Sequence, residues 1–297
     1  MNLSQNLSGL LKDKIVVVTG GGSGLGKALC LALPFSGAKV GVLDINEKSV
    51  NETVSQINSE YPNFAFGMVA SVTDETQLEK VYSNLAKSIS FGPVDILINC
   101  AGIARLGGIE SFSPQDIKFA NDVNVNGYFL NAHFAAQQMV AKKSGCILNI
   151  SSASARIAST NSSLYGVAKE AQCMMTRSWA VDLGKHNIRV NALLCGDLFG
   201  SPELGIESAI WNQTYFEKKA VDKKLVSAND PRLGGTSLNP EVRELVVKHY
   251  LERGVLGKEI TYTDVASMGI FLCSSLCAKI TGESISLTAG NPFAFSK

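Results

Sequence analysis

Between residues 14 and 194, short apolar runs rich in β-branched residues alternate with longer amphipathic stretches, and this alternation limits the fold more than any other feature. After Lys14, the run Ile15-Val16-Val17-Val18-Thr19 reads as a strand buried on both faces. Residues 39–43, 64–69, 94–98, 145–150 and 188–194 read as further strands. Helical patterns fill 25–36, 47–60, a stretch from the cap at Thr73/Asp74 to about residue 90, then 115–142 and 163–184. Strands separated by helices of this length pair in parallel through right-handed crossovers. The expected class is α/β, a doubly wound parallel sheet with helices on both faces.

The alternation stops after Leu194. Residues 195–239 are polar and irregular, helices are expected at 241–252 and 263–274, and a short strand at 284–287. That last strand has to rejoin the same sheet, so 1–297 reads as one domain. Within it, residues 1–11 form an N-terminal arm and 197–257 an insertion before the last helices. A long unpatterned stretch in a compact chain is commonly a functional lid or a disordered insert.

Composition removes several classes of function. Hydrophobic residues make up 45% of the 297 and charged residues 18%, enough to bury a core. Lys and Arg total 27 against 26 acids, and no basic stripe is present, so a nucleic-acid partner is not expected. The seven cysteines and three histidines are scattered without a CxxC, which argues for free buried thiols and against a disulfide framework or metal site. The first residues lack a signal-peptide pattern, and no stretch approaches the length of a membrane span. A soluble, cytoplasmic protein is expected, with no membrane partner.

Three motifs carry chemistry. Thr19-Gly20-Gly21-Gly22-Ser23-Gly24-Leu25-Gly26 follows the first strand and opens a helix. Such glycines let the backbone approach a pyrophosphate, and the helix N-terminal amides bind it, although a flexible turn would use glycine too. Asp44 ends the second strand, where a carboxylate can bind adenosine ribose hydroxyls and repel a 2′-phosphate; the alternative is a helix N-cap. Ser23 offers no cation for that phosphate, so NAD is favoured over NADP. Tyr165 and Lys169 lie one helical turn apart, and Ser151-Ser152 ends a strand thirteen residues before the tyrosine. A phenol with a pKa of about 10 is a weak base at neutral pH, but a nearby ammonium and a cationic nicotinamide favour its phenolate. A surface helix face beside a serine turn is the plainer alternative.

In these motifs and their order the sequence resembles the short-chain dehydrogenase/reductase family in its compact, non-extended form, from about residue 12 to 290. The resemblance implies a Rossmann-like sheet, a partner in further copies of the chain (a homotetramer or homodimer built on 115–142 and 163–184), and NAD-dependent hydride transfer between a secondary alcohol and a carbonyl. It implies that Asn99-Cys100-Ala101-Gly102 steadies the sheet at the cofactor, that Asn124 helps hold a proton-relay water, and that Ser152, Tyr165 and Lys169 complete a catalytic tetrad. The implied cofactor contacts are Gly20, Ser23, Gly24, Leu25, Gly26, Asp44, Ile45, Ser71, Val72, Asn99, Ala101, Gly102, Tyr165, Lys169, Gly196 and Leu198. Four positions depart from the family pattern. Cys100 replaces an Asn, Ser71 stands where an acid is common, and Cys195-Gly196 replaces Pro-Gly, which should loosen the turn under the nicotinamide. Ala289-Gly290-Asn291 replaces a terminal Asp-Gly-Gly.

The segments Asp197-Leu198-Phe199-Gly200-Ser201, Ile210-Trp211 and Tyr250-Leu251-Glu252-Arg253 with Leu256 are similar to the dehydrogenase part of bifunctional rhamnulose-phosphate aldolase/alcohol dehydrogenases; the alternative is generic packing in an insertion. The insertion mixes aromatics (Phe199, Trp211, Tyr215, Phe216) with hydrogen-bonding residues (Asp197, Ser201, Asn212, Gln213). That mixture suits a small sugar, polyol or hydroxyacid better than a steroid or acyl chain, unless the aromatics merely pin the lid. The competing function is a catalytically silent NAD(H)-binding sensor or scaffold on the same fold.

Overall fold

In the computed structural model, which describes residues 3–158, 162–201, 205–206, 208 and 211–294, all strands are parallel and form one seven-stranded sheet. The strands are β1 (Ile15–Thr19), β2 (Lys39–Asp44), β3 (Ala65–Val69), β4 (Ile96–Asn99), β5 (Gly145–Ser152), β6 (Ile188–Cys195) and β7 (Ser284–Leu287), in the order β3-β2-β1-β4-β5-β6-β7. This is a Rossmann-like sheet. β1 is buried at every position, as its unbroken apolar run requires. Its side chains alternate between layers: Val16 and Val18 pack beneath α1 (Gly24–Ala32) and α9 (Tyr262–Cys273), while Ile15 and Val17 join the opposite layer.

That opposite layer is covered by α3 (Glu75–Lys87), α5 (Gly127–Lys142) and α6 (Ser163–Gly184), through Leu78, Tyr82, Tyr128, Met139, Met175 and Trp179. Helix α2 (Glu47–Glu60) flanks β2 and β3 and contributes Val50 and Ile57 to the first layer. Because β1, β2, β4, β5 and β6 run the same way, Thr19, Asp44, Asn99, Ser152 and Cys195 finish along one edge of the sheet. Ligands of open α/β sheets bind beyond that edge.

The structure corrects three expectations. The helix expected over 115–142 is two helices, α4 (Pro114–Asn121) and α5, joined by a π-helical turn, Asp122–Asn126. Single π turns inside α-helices frequently mark functional sites, and this one holds Asn124. The stretch expected to be irregular contains α7 (Gln213–Asp222), which packs on α8 (Pro240–Leu251). Finally, the turn at Cys195-Gly196 is not loosened. Cys195 is paired with both Ser152 and Leu287, and the Gly196 N–H donates to the Leu287 carbonyl at 2.9 Å.

The insertion carries its own apolar cluster of Phe199, Trp211, Phe216, Ala220, Val226, Val242, Val246, Val247 and Tyr250. Its edge is tied to the segment after β7, where the Val255 and Leu256 amides donate to Gly290 and Ala289. Ile210, one of the residues behind the aldolase-linked resemblance, lies outside the described residues. No helix among the described residues is long and apolar enough to cross a membrane.

Candidate active site

A cavity of about 1150 Å3 opens at the carboxyl edge of the sheet, bounded by the glycine loop on one side and the insertion on the other. Pockets for drug-sized ligands span about 300–1,000 Å3, so this one has room for a dinucleotide together with a small second molecule. Every predicted catalytic and cofactor-contact residue lines it except Asn99 and Asn124. Those two act from behind the wall.

The glycine loop is close-packed. Gly20 has φ +71°, and a Cβ there would sit 2.9 Å from the Ala101 Cα. A Cβ on Gly26 would lie 2.1 Å from the Gly20 carbonyl oxygen, so α1 begins directly on the turn. Thr19, at the end of β1, accepts hydrogen bonds from the Cys100 and Ala101 amides at 2.9 and 3.0 Å, joining this loop to the one after β4. The Asp44 carboxylate accepts from the Gly22 amide at 3.0 Å and from the Asn46 amide at 3.1 Å. The N-cap of α2 is Asn46, not Asp44, which disposes of the capping alternative for the acid. Ile45 is 71% exposed and Ser71 and Val72 are beside it in the cavity wall, an apolar and polar ledge at the far end from Tyr165.

Asn99 is fully buried and donates to the Asn149 side chain at 3.0 Å, and Asn149 donates to Thr176 of α6 at 2.9 Å. These bonds brace β4, β5 and α6 behind the cavity. Asn124 is equally buried. Its side chain donates to the Ile103 carbonyl at 2.9 Å and accepts from the Ile103 amide at 3.0 Å, which fixes the loop after β4.

The two serines ending β5 divide their work. The Ser151 hydroxyl donates to the Lys169 carbonyl at 2.8 Å, whereas Ser152 accepts from the Ser154 amide at 3.1 Å and is hydrogen-bonded to Tyr165. Lys169 Nζ lies 5.4 Å from the Tyr165 ring centre and donates to the Ile150 carbonyl at 3.0 Å and to Gln172 Oε1 at 3.2 Å. Burial pulls the Lys169 pKa down to about 8. Burial also pushes the Tyr165 phenol well above its usual value, against the Ser152 hydrogen bond, which lowers it. Among the chain's own groups desolvation therefore outweighs the Ser152 hydrogen bond, and the lowering expected from Lys169 is not among the causes at work. Cys100 and Cys195 line the same wall, and burial lifts both thiols to about 12.

The insertion supplies a mixed wall. Asp197, Phe199, Trp211 and Tyr215 line the cavity as expected. The other expected residues serve the insertion itself: Phe216 is buried in its cluster, Asn212 caps α7, Gln213 binds Glu217 and the Gly235 carbonyl, and Ser201 pairs with Ile206. Trp211 does both, with ring centres 4.6 Å from Phe199, 4.9 Å from Tyr250 and 5.0 Å from Tyr215. Sequence reasoning missed Gln172, Thr19 as a hydrogen-bond hub, and the cations Lys218, Lys219 and Lys223. A polar residue three places after Lys169, on its helix face, was the available signal for Gln172.

The short chain dehydrogenase family matches residues 14–200. Sorbitol-6-phosphate 2-dehydrogenase of Escherichia coli (strain K12) is 30% identical over 280 residues, spanning 94% of this chain and 98% of its own length. Among solved structures, sorbitol-6-phosphate 2-dehydrogenase from Erwinia amylovora has a TM-score of 0.79 at 30% identity, covering 94% of this chain and 98% of its own. A 7 alpha-hydroxysteroid dehydrogenase complexed with NADH and 7-oxo glycochenodeoxycholic acid has a TM-score of 0.76 at 26% identity, covering 98% of each chain.

Proposed function

The chain belongs to the short chain dehydrogenase family, and from that premise we propose that it oxidises a small polyhydroxylated secondary alcohol, or reduces the matching ketone, with NAD as the preferred cofactor. It is an NAD(P)-dependent oxidoreductase acting on CH–OH groups. The observation that carries the proposal is the convergence of Ser152, Tyr165 and Lys169 in one cavity with the glycine loop.

The residues fit a dinucleotide. Close packing at Gly20 and Gly26 leaves backbone where side chains would otherwise intrude, and the exposed Ile45 offers an apolar face to an adenine. Gly20, Ser23, Gly24, Leu25 and Gly26 would hold the phosphates, Asp44 the adenosine ribose, Ser71 and Val72 the adenine, and Ala101, Gly102, Gly196 and Leu198 the nicotinamide half. When bound, the nicotinamide supplies the hydride acceptor or donor. Tyr165 exchanges a proton with the substrate oxygen, and Ser152 hydrogen-bonds that oxygen. Lys169, with one ammonium hydrogen left after Ile150 and Gln172, would hold the ribose and favour the phenolate. NAD preference is supported by the Asp44 carboxylate in the cavity and by Ser23 in place of a cation.

The relatives act on a sugar phosphate and on a steroid, so the substrate reading rests on the insertion. Asp197, Tyr215, Lys219 and Arg253 put hydrogen-bonding groups where a steroid would need continuous apolar wall. We propose in addition that this insertion is similar to the dehydrogenase part of bifunctional rhamnulose-phosphate aldolase/alcohol dehydrogenases, a reading carried by its sequence segments alone. We also propose a single catalytic unit over 1–297 with the lid at 197–257, working in the cytoplasm as a homotetramer or homodimer. Phe129, Val167, Met174 and Val181 leave apolar surface on α5 and α6 for a second copy. The test is an NADH fluorescence titration followed by a panel of sugars, polyols, hydroxyacids and steroids. Turnover of a polyhydroxylated alcohol is expected; tight binding without any turnover would instead favour the sensor reading.

A further inference from the structure

Lys218 and Lys219 of α7, Lys223 just past it and Arg253 just past α8 all line the cavity that holds Tyr165. Facing them on the wall is Asp197, 3.8 Å from Arg253. Among the described residues no carboxylate lies within salt-bridge distance of the three lysines. Lys219 and Lys223 occupy an i, i+4 spacing, where like charges work against the helix. Lys219 is only partly exposed, its Nζ 5.0 Å from the Tyr215 ring centre, and the Arg253 guanidinium lies 5.2 Å from that of Tyr250. The aromatic ring faces thus hold two of the cations toward the cavity. Burial lowers the Lys219 pKa, Asp222 opposes it, and Lys223, Lys218 and Arg253 lower it further, so the four cations share one field. A chain with net charge +1 has gathered an excess of cations at the mouth of its cavity.

We infer that the lid end of the cavity is an anion site, and that the substrate carries a phosphate or carboxylate on the end away from its reacting carbon. This rests on the polyhydroxy-alcohol reading above and narrows it. The test assays the full chain with NAD on hexitols and pentitols in three forms: free polyol, terminal phosphate and terminal carboxylate. One charged form should exceed the free polyol in kcat/KM by about a hundredfold, as two charge-assisted contacts would give. The Lys219→Ala/Lys223→Ala variant should cut that advantage about tenfold through KM, with the KM for NAD nearly unchanged. Equal activity on free and charged forms overturns the inference, as does an advantage that the double substitution leaves undiminished. A rise in the KM for NAD instead assigns the lysines to the cofactor and also overturns it. If no form is oxidised, the polyol reading fails and the anion site is judged on inorganic phosphate. A phosphate-dependent rise in Tm that the double variant lacks supports the site; an equal rise, or none, refutes it.

Gln172 is fully buried behind the catalytic pair. Its Oε1 accepts from Lys169 Nζ at 3.2 Å, and its Nε2 donates to the Asn124 carbonyl at 2.9 Å. The amide thereby links the lysine to the π turn at Asn124, the residue to which the resemblance gives a proton-relay water. We further propose that Gln172 is a positioning residue that replaces this water with a fixed bridge and keeps Lys169 aimed at Tyr165. The near-isosteric Gln172→Met should raise the pKa in the kcat/KM profile for alcohol oxidation by about one unit and lower kcat about tenfold. Gln172→Ala, which leaves room for a bridging water, should recover most of both. A purely structural role would lower Tm in both variants and leave the pH profile where it was. An unmoved profile in Gln172→Met overturns the proposal; should that variant not fold, Gln172→Leu is read by the same criterion.

Discussion

Replacing Lys169 with methionine separates what the buried charge costs the fold from what it gives the site. The residue is 5% exposed, and burial brings its pKa from the usual 10.5 to about 8. At 1.36 kcal/mol per unit, holding the proton on Lys169 at neutral pH costs the folded state about 3 kcal/mol relative to a solvated lysine. The unfolded chain keeps this proton up to pH 10.5, whereas the folded chain releases it near 8. Between those values the unfolded state binds more protons, so this group's contribution to stability rises with pH. Lys169→Met removes the titration. It also leaves Gln172 Oε1 without its lysine donor and takes one donor from the Ile150 carbonyl, which keeps the Tyr128 hydroxyl, and this shifts the variant's stability by an amount that does not depend on pH in this range. The diagnostic is therefore the slope. Urea unfolding of both proteins without cofactor, between about pH 7 and 10, should show the wild type gaining on the variant by up to about 3 kcal/mol. Parallel pH dependences would refute the reasoning.

Asp44→Ala should weaken NAD at least tenfold and relax discrimination against NADP, since each lost hydrogen bond to a charged acceptor costs about 1.5–3 kcal/mol; a wild type that already prefers NADP in paired KM measurements would remove the role given to Asp44. Gly26→Ala drives a Cβ into the Gly20 carbonyl and should sharply reduce NADH affinity in a fluorescence titration, and unchanged affinity would mean the loop is not the phosphate cradle. Trp211→Ala removes the centre of the insertion's aromatic cluster, a loss of about 3–5 kcal/mol for a buried aromatic. It should raise the KM for the alcohol and quicken proteolysis within the insertion, with the KM for NAD little altered; an unchanged alcohol KM would leave the lid outside the substrate site.

Where local chemistry and packing agree, the fold is readable from the residues. Glu47–Glu60 and Ser163–Gly184 form helices over the predicted spans, and Ser284–Leu287 forms the predicted strand. The π turn at Asp122–Asn126 is not readable, because the apolar periodicity runs through it and the extra residue is accommodated by Asn124 bonding to Ile103. Helix α7 escapes notice because its apolar face is short, with Phe216 and Ala220 buried and lysines around them. Within the site, Tyr165, Lys169 and Ser152 declare themselves by spacing. Gln172 does not, since a glutamine on a helix reads as solvated until the tertiary structure closes over it.

The central claim, that Tyr165 is the acid and base of an oxidoreductase, is tested most directly by Tyr165→Phe. The substitution removes one hydroxyl from a buried ring and keeps the packing. Turnover of the best alcohol should fall to background, followed by nicotinamide absorbance, while NADH binding by fluorescence stays within a few fold of wild type. Near wild-type turnover in this variant would contradict the account.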